Sequence, residues 1–271
     1  MIRLRPGPRS LIEDVLPRKA QIAAAAWLAL IAVLGGCRRQ PATESGELAD
    51  NQTGYVAPPT PLAAAASAQG VSLSGRAPAN APVRLATPMG QALITHADAE
   101  GRWRLDVPAA AQARIFGLST ESDGRRVQAQ GYLLVGPRGQ TALLRAGAAA
   151  LRLDHAAGSR IASLDFDAEG GALLSGWAAA GTDVAIRLDG RPAGEARADE
   201  DGRFTLAMPR LSSGTHRIDA TGVAFTDTLM LDASPAPPLA GGPLRSQLTP
   251  QGLRADWLTP GGGVQSTVLA G

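Results

Sequence analysis

Along the middle of the chain, apolar and polar residues alternate with a period of two. After Gly101, the side chains of Trp103, Leu105 and Val107 alternate with Arg102, Arg104 and Asp106. After Gly202, Phe204, Leu206 and Met208 alternate with Arg203, Thr205 and Ala207 in the same way. This is the pattern of a half-buried strand, because successive side chains leave opposite faces of a sheet. Further short strands are predicted at 71–77, 82–87, 91–97, 113–119 and 127–135, then at 172–178, 183–188, 193–198, 215–221 and 227–232. Just before the two alternating segments stand "ADAEG" and "ADEDG". Each reads as a hairpin turn that Asp98 or Asp199 caps, with Gly101 or Gly202 taking a positive φ.

The two sets of strands form a repeat. Residues 73–108 align without gaps to residues 174–209 at a constant offset of 101. Leu73, Ser74, Gly75, Val83, Asp98, Gly101, Arg102, Leu105 and Pro108 recur as Leu174, Ser175, Gly176, Val184, Asp199, Gly202, Arg203, Leu206 and Pro209. Two copies of one domain explain this alignment most simply. Many short strands at this spacing predict an all-β chain of two β-sandwiches. Composition agrees, since aromatics make up only 4% of the residues while Gly and Pro number 32 and 20.

The pattern L-S-G-x-A, a V-x-L strand and then A-D-x-x-G-R-[WF]-x-L resembles bacterial Ig-like domains, including those that accompany peptidoglycan-binding LysM modules. The resemblance covers about 73–150 and 174–232 and implies two tandem Ig-like β-sandwich domains. The chain has no LysM motif, so wall binding does not follow from it. The turn "ADxxGR[WF]" is also similar to that of transthyretin-like regulatory domains of carboxypeptidases, which implies the alternative of a non-catalytic subunit or scaffold of an envelope enzyme.

The N-terminus follows a different pattern. A basic stretch precedes "IAAAAWLALIAVL" at 22–34, then two glycines and Cys37, the single cysteine of the chain. Thirteen apolar residues are too few to span a bilayer comfortably, which takes about 20, but they suit the core of a secretory signal. Leu34-Gly35-Gly36-Cys37 resembles the lipobox of bacterial lipoproteins. That resemblance implies cleavage between Gly36 and Cys37 and lipid attachment at the Cys37 thiol. Arg38 stands where, in enterobacterial lipoproteins, an aspartate favours inner-membrane retention, so the resemblance implies the outer membrane facing the periplasm. The mature chain, with no further cysteine, has no disulfide and no Cys-based metal site. From Arg38 to Gln69 the chain is rich in Pro, Ala, Ser, Thr and acidic residues and reads as a flexible tether.

The expected organisation is a signal peptide at 1–36, a tether at 37–70, sandwiches at 71–153 and 161–232, and a Pro/Gly linker with a C-terminal hairpin at 233–271. In that last segment "ASPAPPLAGGP" breaks the alternation. The closing stretch then puts Leu253, Ala255 and Trp257 on one face, ahead of a turn at 260–263. It reads either as an extra hairpin packed on a sandwich or as an edge offered to a partner.

Charge and chemistry narrow the function. The pI near 9.2 suggests nucleic acid, but residues 1–36 hold five cations and two anions. Removing them from 26 Lys/Arg and 24 Asp/Glu leaves 21 against 22, a net charge of −1, with no basic cluster to follow a phosphate backbone. No nucleic-acid partner is expected. His96, His155 and His216 form no ligand or catalytic spacing, and Arg197 replaces His96 in the second copy. Asp165, Asp167 and Glu169 open like a calcium loop, but Gly176 stands where that loop needs a bidentate glutamate, so they read as an acidic interdomain loop. Asp199, Glu200 and Asp201 read as a solvated turn, and Trp103, Trp177 and Phe204 as core or edge residues. Neither catalytic residue nor cofactor nor metal is expected. The sequence points to a lipid-anchored envelope protein acting as a spacer or binding module, with the membrane and an envelope protein or peptidoglycan as partners.

Overall fold

The computed structural model describes residues 55–122, 124–154 and 160–271, and among these every regular element is a strand. The first half runs β1 (Thr60–Ser67), β2 (Gly70–Arg76), β3 (Pro82–Ala86), β4 (Ala92–His96), β5 (Arg102–Pro108), β6 (Arg114–Ser122), β7 (Arg125–Val135), β8 (Thr141–Leu144) and β9 (Leu151–Arg152). The second runs β10 (Ile161–Asp167), β11 (Ala172–Trp177), β12 (Asp183–Leu188), β13 (Arg191–Arg197), β14 (Arg203–Ala207), β15 (Thr215–Gly222), β16 (Phe225–Asp232), β17 (Leu244–Thr249), β18 (Gly252–Leu258) and β19 (Val264–Ala270).

Each half is a two-sheet sandwich. In the first, a sheet of order β1-β2-β5 covers one of order β4-β3-β6-β7-β8-β9. In the second, β13-β12-β15-β16 covers β14-β11-β10-β19-β18-β17. All pairings are antiparallel, and the inward residues of the alternating strands meet in two separate cores. Leu73, Val83, Leu85, Trp103 and Phe116 belong to the first, and Leu174, Val184, Ile186, Phe204 and Ile218 to the second.

The L-S-G motif has a packing reason. Gly75 lies opposite Trp103 and Gly176 opposite Phe204 in register. A Cβ on either glycine would run into that aromatic ring and into the carbonyl oxygen of Thr60 or Arg160. The missing side chain is what makes room for the ring over the neighbouring strand.

The turn motif is a corner, not the hairpin expected from the sequence. Asp98 Oδ1 accepts from the backbone N–H groups of Glu100 and Arg102 at 3.0 and 2.7 Å, and Gly101 has φ of 74°. Asp199 does the same with Asp201 and Arg203 at 3.0 and 2.8 Å, and Gly202 also has φ of 74°. The capping and the positive φ are as expected, yet β4 and β5 lie in different sheets, as do β13 and β14. The carbonyls of Gly101 and Gly202 each accept from the residue after the neighbouring strand, Ala77 and Ala178. The motif therefore carries the chain from one sheet of the sandwich to the other.

Residues 60–67, read from the sequence as tether, form β1. This strand pairs with β2 and carries a bulge at Pro61/Ala63, just as β10 pairs with β11 and carries one at Ile161/Ser163. The repeat therefore starts one strand earlier than its sequence identity. β1 is an edge strand whose positions are mostly exposed and include four alanines in a row, so no apolar alternation marks it.

The C-terminal segment is also more than an appended hairpin. β18 and β19 form the expected hairpin, closed by Thr259 N–H donating to Gly263 O at 2.8 Å, but β17 adds a third strand and β19 pairs directly with β10. The end of the chain is thus built into the second sandwich.

Candidate functional site

Gly36 and Cys37, the expected cleavage and lipid-attachment residues, lie outside the described residues, as does His155. The other sequence candidates fall in separate places. His96 is exposed on β4. His216 is buried on β15, where its Nδ1 meets Asp189 Oδ2 and its Nε2 meets the Ser212 carbonyl, both at 2.8 Å. The bond to Asp189 raises the His216 pKa above its ordinary value, and the Ser212 carbonyl adds to this. With both ring nitrogens engaged in structural bonds, His216 holds the Asp189–Gly190 turn to β15.

Asp167 and Glu169 are exposed, at the end of β10 and in the turn after it, but Asp165 overturns its part of the acidic-loop reading. It stands within β10 and is 2% exposed. Alternation sends Leu164 and Phe166 into the second core and Ser163 and Asp165 to the opposite face. That face is covered by the first sandwich, because the two six-stranded sheets turn their remaining faces to each other. There Ile115, Leu134, Ala142, Leu144 and Ala150 meet Leu253, Ala255, Trp257 and Leu269 in a third core. Trp257 is fully buried at its centre, with Tyr132 edge-on at 6.1 Å.

Polar bonds cross this junction. Asp165 Oδ2 accepts from the Ala150 N–H of the first sandwich at 2.7 Å, and Asp165 Oδ1 accepts from the Thr267 hydroxyl at 2.5 Å. Thr267 Oγ1 in turn accepts from Trp257 Nε1 at 3.1 Å. From the other side, buried Arg152 donates to the carbonyls of Ala162, at 3.1 Å, and Ala270, while Asp154 grips its guanidinium through both carboxylate oxygens. Asp165 and Arg152 are thus each held by groups of the opposite half, which fixes the register of the two sheets.

Two buried carboxylates of the same sheet show how the surroundings decide protonation. Burial pushes Asp165 up to about 6, because its hydrogen bonds, from Ala150, Thr267, Ser163 and Gln265, include no cation. Burial also opposes ionisation of Asp256, but the Ser266 hydroxyl, Arg245 and Arg254 outweigh it and hold that carboxyl below its ordinary range. Arg254 additionally reaches the carbonyls of Asp232 and Ser234 and lies 5.3 Å over the Phe166 ring, which secures the start of the 233–243 segment.

Where the third core ends, the six-stranded sheet of the first sandwich remains open. A cleft of about 480 Å³ lies there, between the outer face of β3, β6 and β7 and the end of the C-terminal hairpin. Small neighbouring residues, Ala86 and Gly117, form its floor, and a Cβ built on Gly117 would meet nothing within 4 Å. Tyr132, Leu258 and Pro260 flank it on the hairpin side, and Arg84 and Arg126 on the other. Sequence reasoning missed this cleft because its walls come from segments far apart in the chain. Among the described residues, no group of three or more His, Cys, Asp or Glu is gathered as a metal ion would need.

No family model matches the chain, and no curated protein does. Among solved structures it is similar to the BSP domain of a biofilm-associated protein, at 12% identity and a TM-score of 0.24, over 68% of this chain and 30% of that one. It is also similar to the central fibronectin-III array of RIM-binding protein, at 10% identity and a TM-score of 0.24, over 74% and 72% of the two chains. A third is invasin, a bacterial integrin-binding protein, at 12% identity and a TM-score of 0.22, over 78% and 54%. No residue role or ligand carries across at this level of similarity. The class defined by the structure itself is a tandem β-sandwich protein with a shared, buried junction.

Proposed function

We propose that this chain is a lipid-anchored protein of the bacterial cell envelope whose two sandwiches serve as a stiff spacer and binding module, and that it is not an enzyme. The observation that carries the module reading is the third core. Trp257, Arg152 and Asp165 join the halves through packing and hydrogen bonds that each would lose on separation. A chain built this way holds its surfaces at a set distance and angle, which suits presentation and bridging. The buried titratable groups His216, Asp165 and Asp256 are all engaged in structural bonds, which supports a non-catalytic role. The anchoring part rests on the sequence alone: apolar core, small residues and Cys37 in lipobox order. Several acyl chains, as in a mature lipoprotein, would hold it stably, since a single chain binds membranes only marginally. Arg38 after the cysteine supports outer-membrane residence.

The test is metabolic labelling with palmitate. The parent should incorporate label, fractionate with the outer membrane and begin at a modified Cys37. Cys37→Ser, which lacks the alkylated nucleophile, should take up none and keep residues 22–34. An unmodified Cys37 in envelope protein with the apolar segment still attached would overturn the anchor.

A further inference from the structure

We propose that the cleft above Gly117 is a docking site for an extended, acidic peptide segment of a partner protein. The proposal rests on the binding-module reading and gives it a place and a ligand chemistry.

The floor is the first argument. In the register of the sheet, Ala86 lies beside Gly117 and Gly117 beside Tyr132; past an irregularity in the β6–β7 pairing, Arg84 lies beside Ser119 and Ser119 beside Gln128. The first row is low in its middle and ends at a tyrosine, and the second offers a cation, a hydroxyl and an amide. The result is a trough along the sheet with an apolar lane and a polar lane. A peptide in extended conformation presents side chains to alternate sides and can fill both lanes at once.

Charge is the second argument. Among the described residues the cleft lining has two guanidinium groups and no acidic side chain. Arg126 reaches only Glu121, at 3.9 Å between two side chains more than half exposed, a contact of little worth. By contrast, Arg152 at the junction between the sandwiches is held by Asp154, and Arg245 and Arg254 are held by Asp256. Two guanidiniums with no carboxylate between them, set beside an apolar trough, complement carboxylates, which arginine binds through two parallel hydrogen bonds.

The walls are the third. Leu258, Pro260 and Pro243 supply apolar surface without side-chain donors, next to the Tyr132 ring. Neutral sugars are held through vicinal hydroxyls by carboxylates and several amides, whereas this lining has one amide and no carboxylate. At about 480 Å³ the cleft is in the size range of small-ligand pockets and takes a few residues of a peptide. An apolar side chain would lie over Ala86 and Gly117 against Pro260, with flanking carboxylates on Arg84 and Arg126.

The experiment uses the full chain purified in detergent, panned against a displayed random-peptide library, with the enriched peptide then synthesised and titrated by fluorescence anisotropy. Soluble muropeptides and vesicles of anionic phospholipid are titrated alongside. The expected peptides carry Asp or Glu beside an apolar residue. Gly117→Leu, which fills the trough at a position with free space above it, should melt with the parent yet bind at least about tenfold more weakly. The double variant Arg84→Glu, Arg126→Glu should lose the acidic peptides and select basic ones. Enriched peptides of no charge preference, or peptides bound equally by Gly117→Leu and the parent, overturn the site while the module reading stands. Muropeptides or vesicles bound in place of peptides, with that binding lost in Gly117→Leu, overturn the ligand class. A chain that selects no peptide and binds neither muropeptides nor vesicles overturns both the site and the module reading.

Discussion

Asp165→Asn isolates the cost of ionising a carboxyl buried in the junction between the sandwiches. In the unfolded chain this carboxyl titrates near 3.8; in the fold it is pushed up to about 6. The native state therefore binds the proton more tightly, so the stabilisation linked to this group is complete below 3.8 and is lost as pH rises through about 6. The gap corresponds to about 3 kcal/mol in total, of which about 2 kcal/mol falls between about pH 4.5 and 6.5. Among the described residues, the other shifted carboxylates and His216 act largely outside that window. Asp98, Asp189, Asp219, Asp232 and Asp256 are held below their ordinary range, and their contributions disappear only as pH falls below about 3.8. The His216 pKa is raised, so its contribution is complete below 6.5 and fades above it. The amide introduced by Asp165→Asn can keep the bond from Ala150 N–H, but its NH₂ would face Thr267 Oγ1, which already accepts from Trp257. Urea unfolding followed by tryptophan fluorescence at about pH 4.5, 5.5 and 6.5 gives the comparison. The parent should lose about 2 kcal/mol across this range, and the variant should stay nearly level. A parent that is flat or gains stability over the range, with the variant running parallel, would refute the argument, since the carboxylate would then have to be solvated or neutralised.

Three further substitutions test the fold. Trp257→Ala removes the centre of the third core and should cost about 3–5 kcal/mol, splitting a single urea transition into two as the halves uncouple. At the sheet-to-sheet corner, Gly101→Val forces a β-branched residue into a φ of 74° and a Cβ against the Ala77 carbonyl, and should lower stability by about 2–3 kcal/mol. Glu100→Ser in the same turn should change it by less than about 0.5 kcal/mol, because the backbone N–H of Glu100 serves the Asp98 cap and its carboxylate meets Arg102 only in an exposed ion pair. Equal melting of Gly101→Val and Glu100→Ser would remove the corner from the account.

Period-two alternation around Trp103 and Phe204 determined the strands, and the identities shared at an offset of 101 determined that there are two sandwiches. Asp98 with Gly101 and Asp199 with Gly202 marked capped turns of positive φ. All of these are local: they depend on backbone conformation and on which side of one strand is apolar. What the turns connect was a tertiary decision, because the same Asp-x-x-Gly cap serves a hairpin or a corner, and only the packing of two sheets makes it a corner. β1 was hidden because this mostly exposed edge strand is alanine from 63 to 66, so no contrast of apolar and polar residues marks its inward side. Asp165 was misread for the opposite reason. Acidic residues mark solvent unless a second body covers them, and here the cover comes from the other sandwich, whose Ala150 stands just before β9. The cleft over Gly117 was equally out of reach, since a glycine in a strand looks the same in sequence whether a ring fills the space above it, as at Gly75, or nothing does.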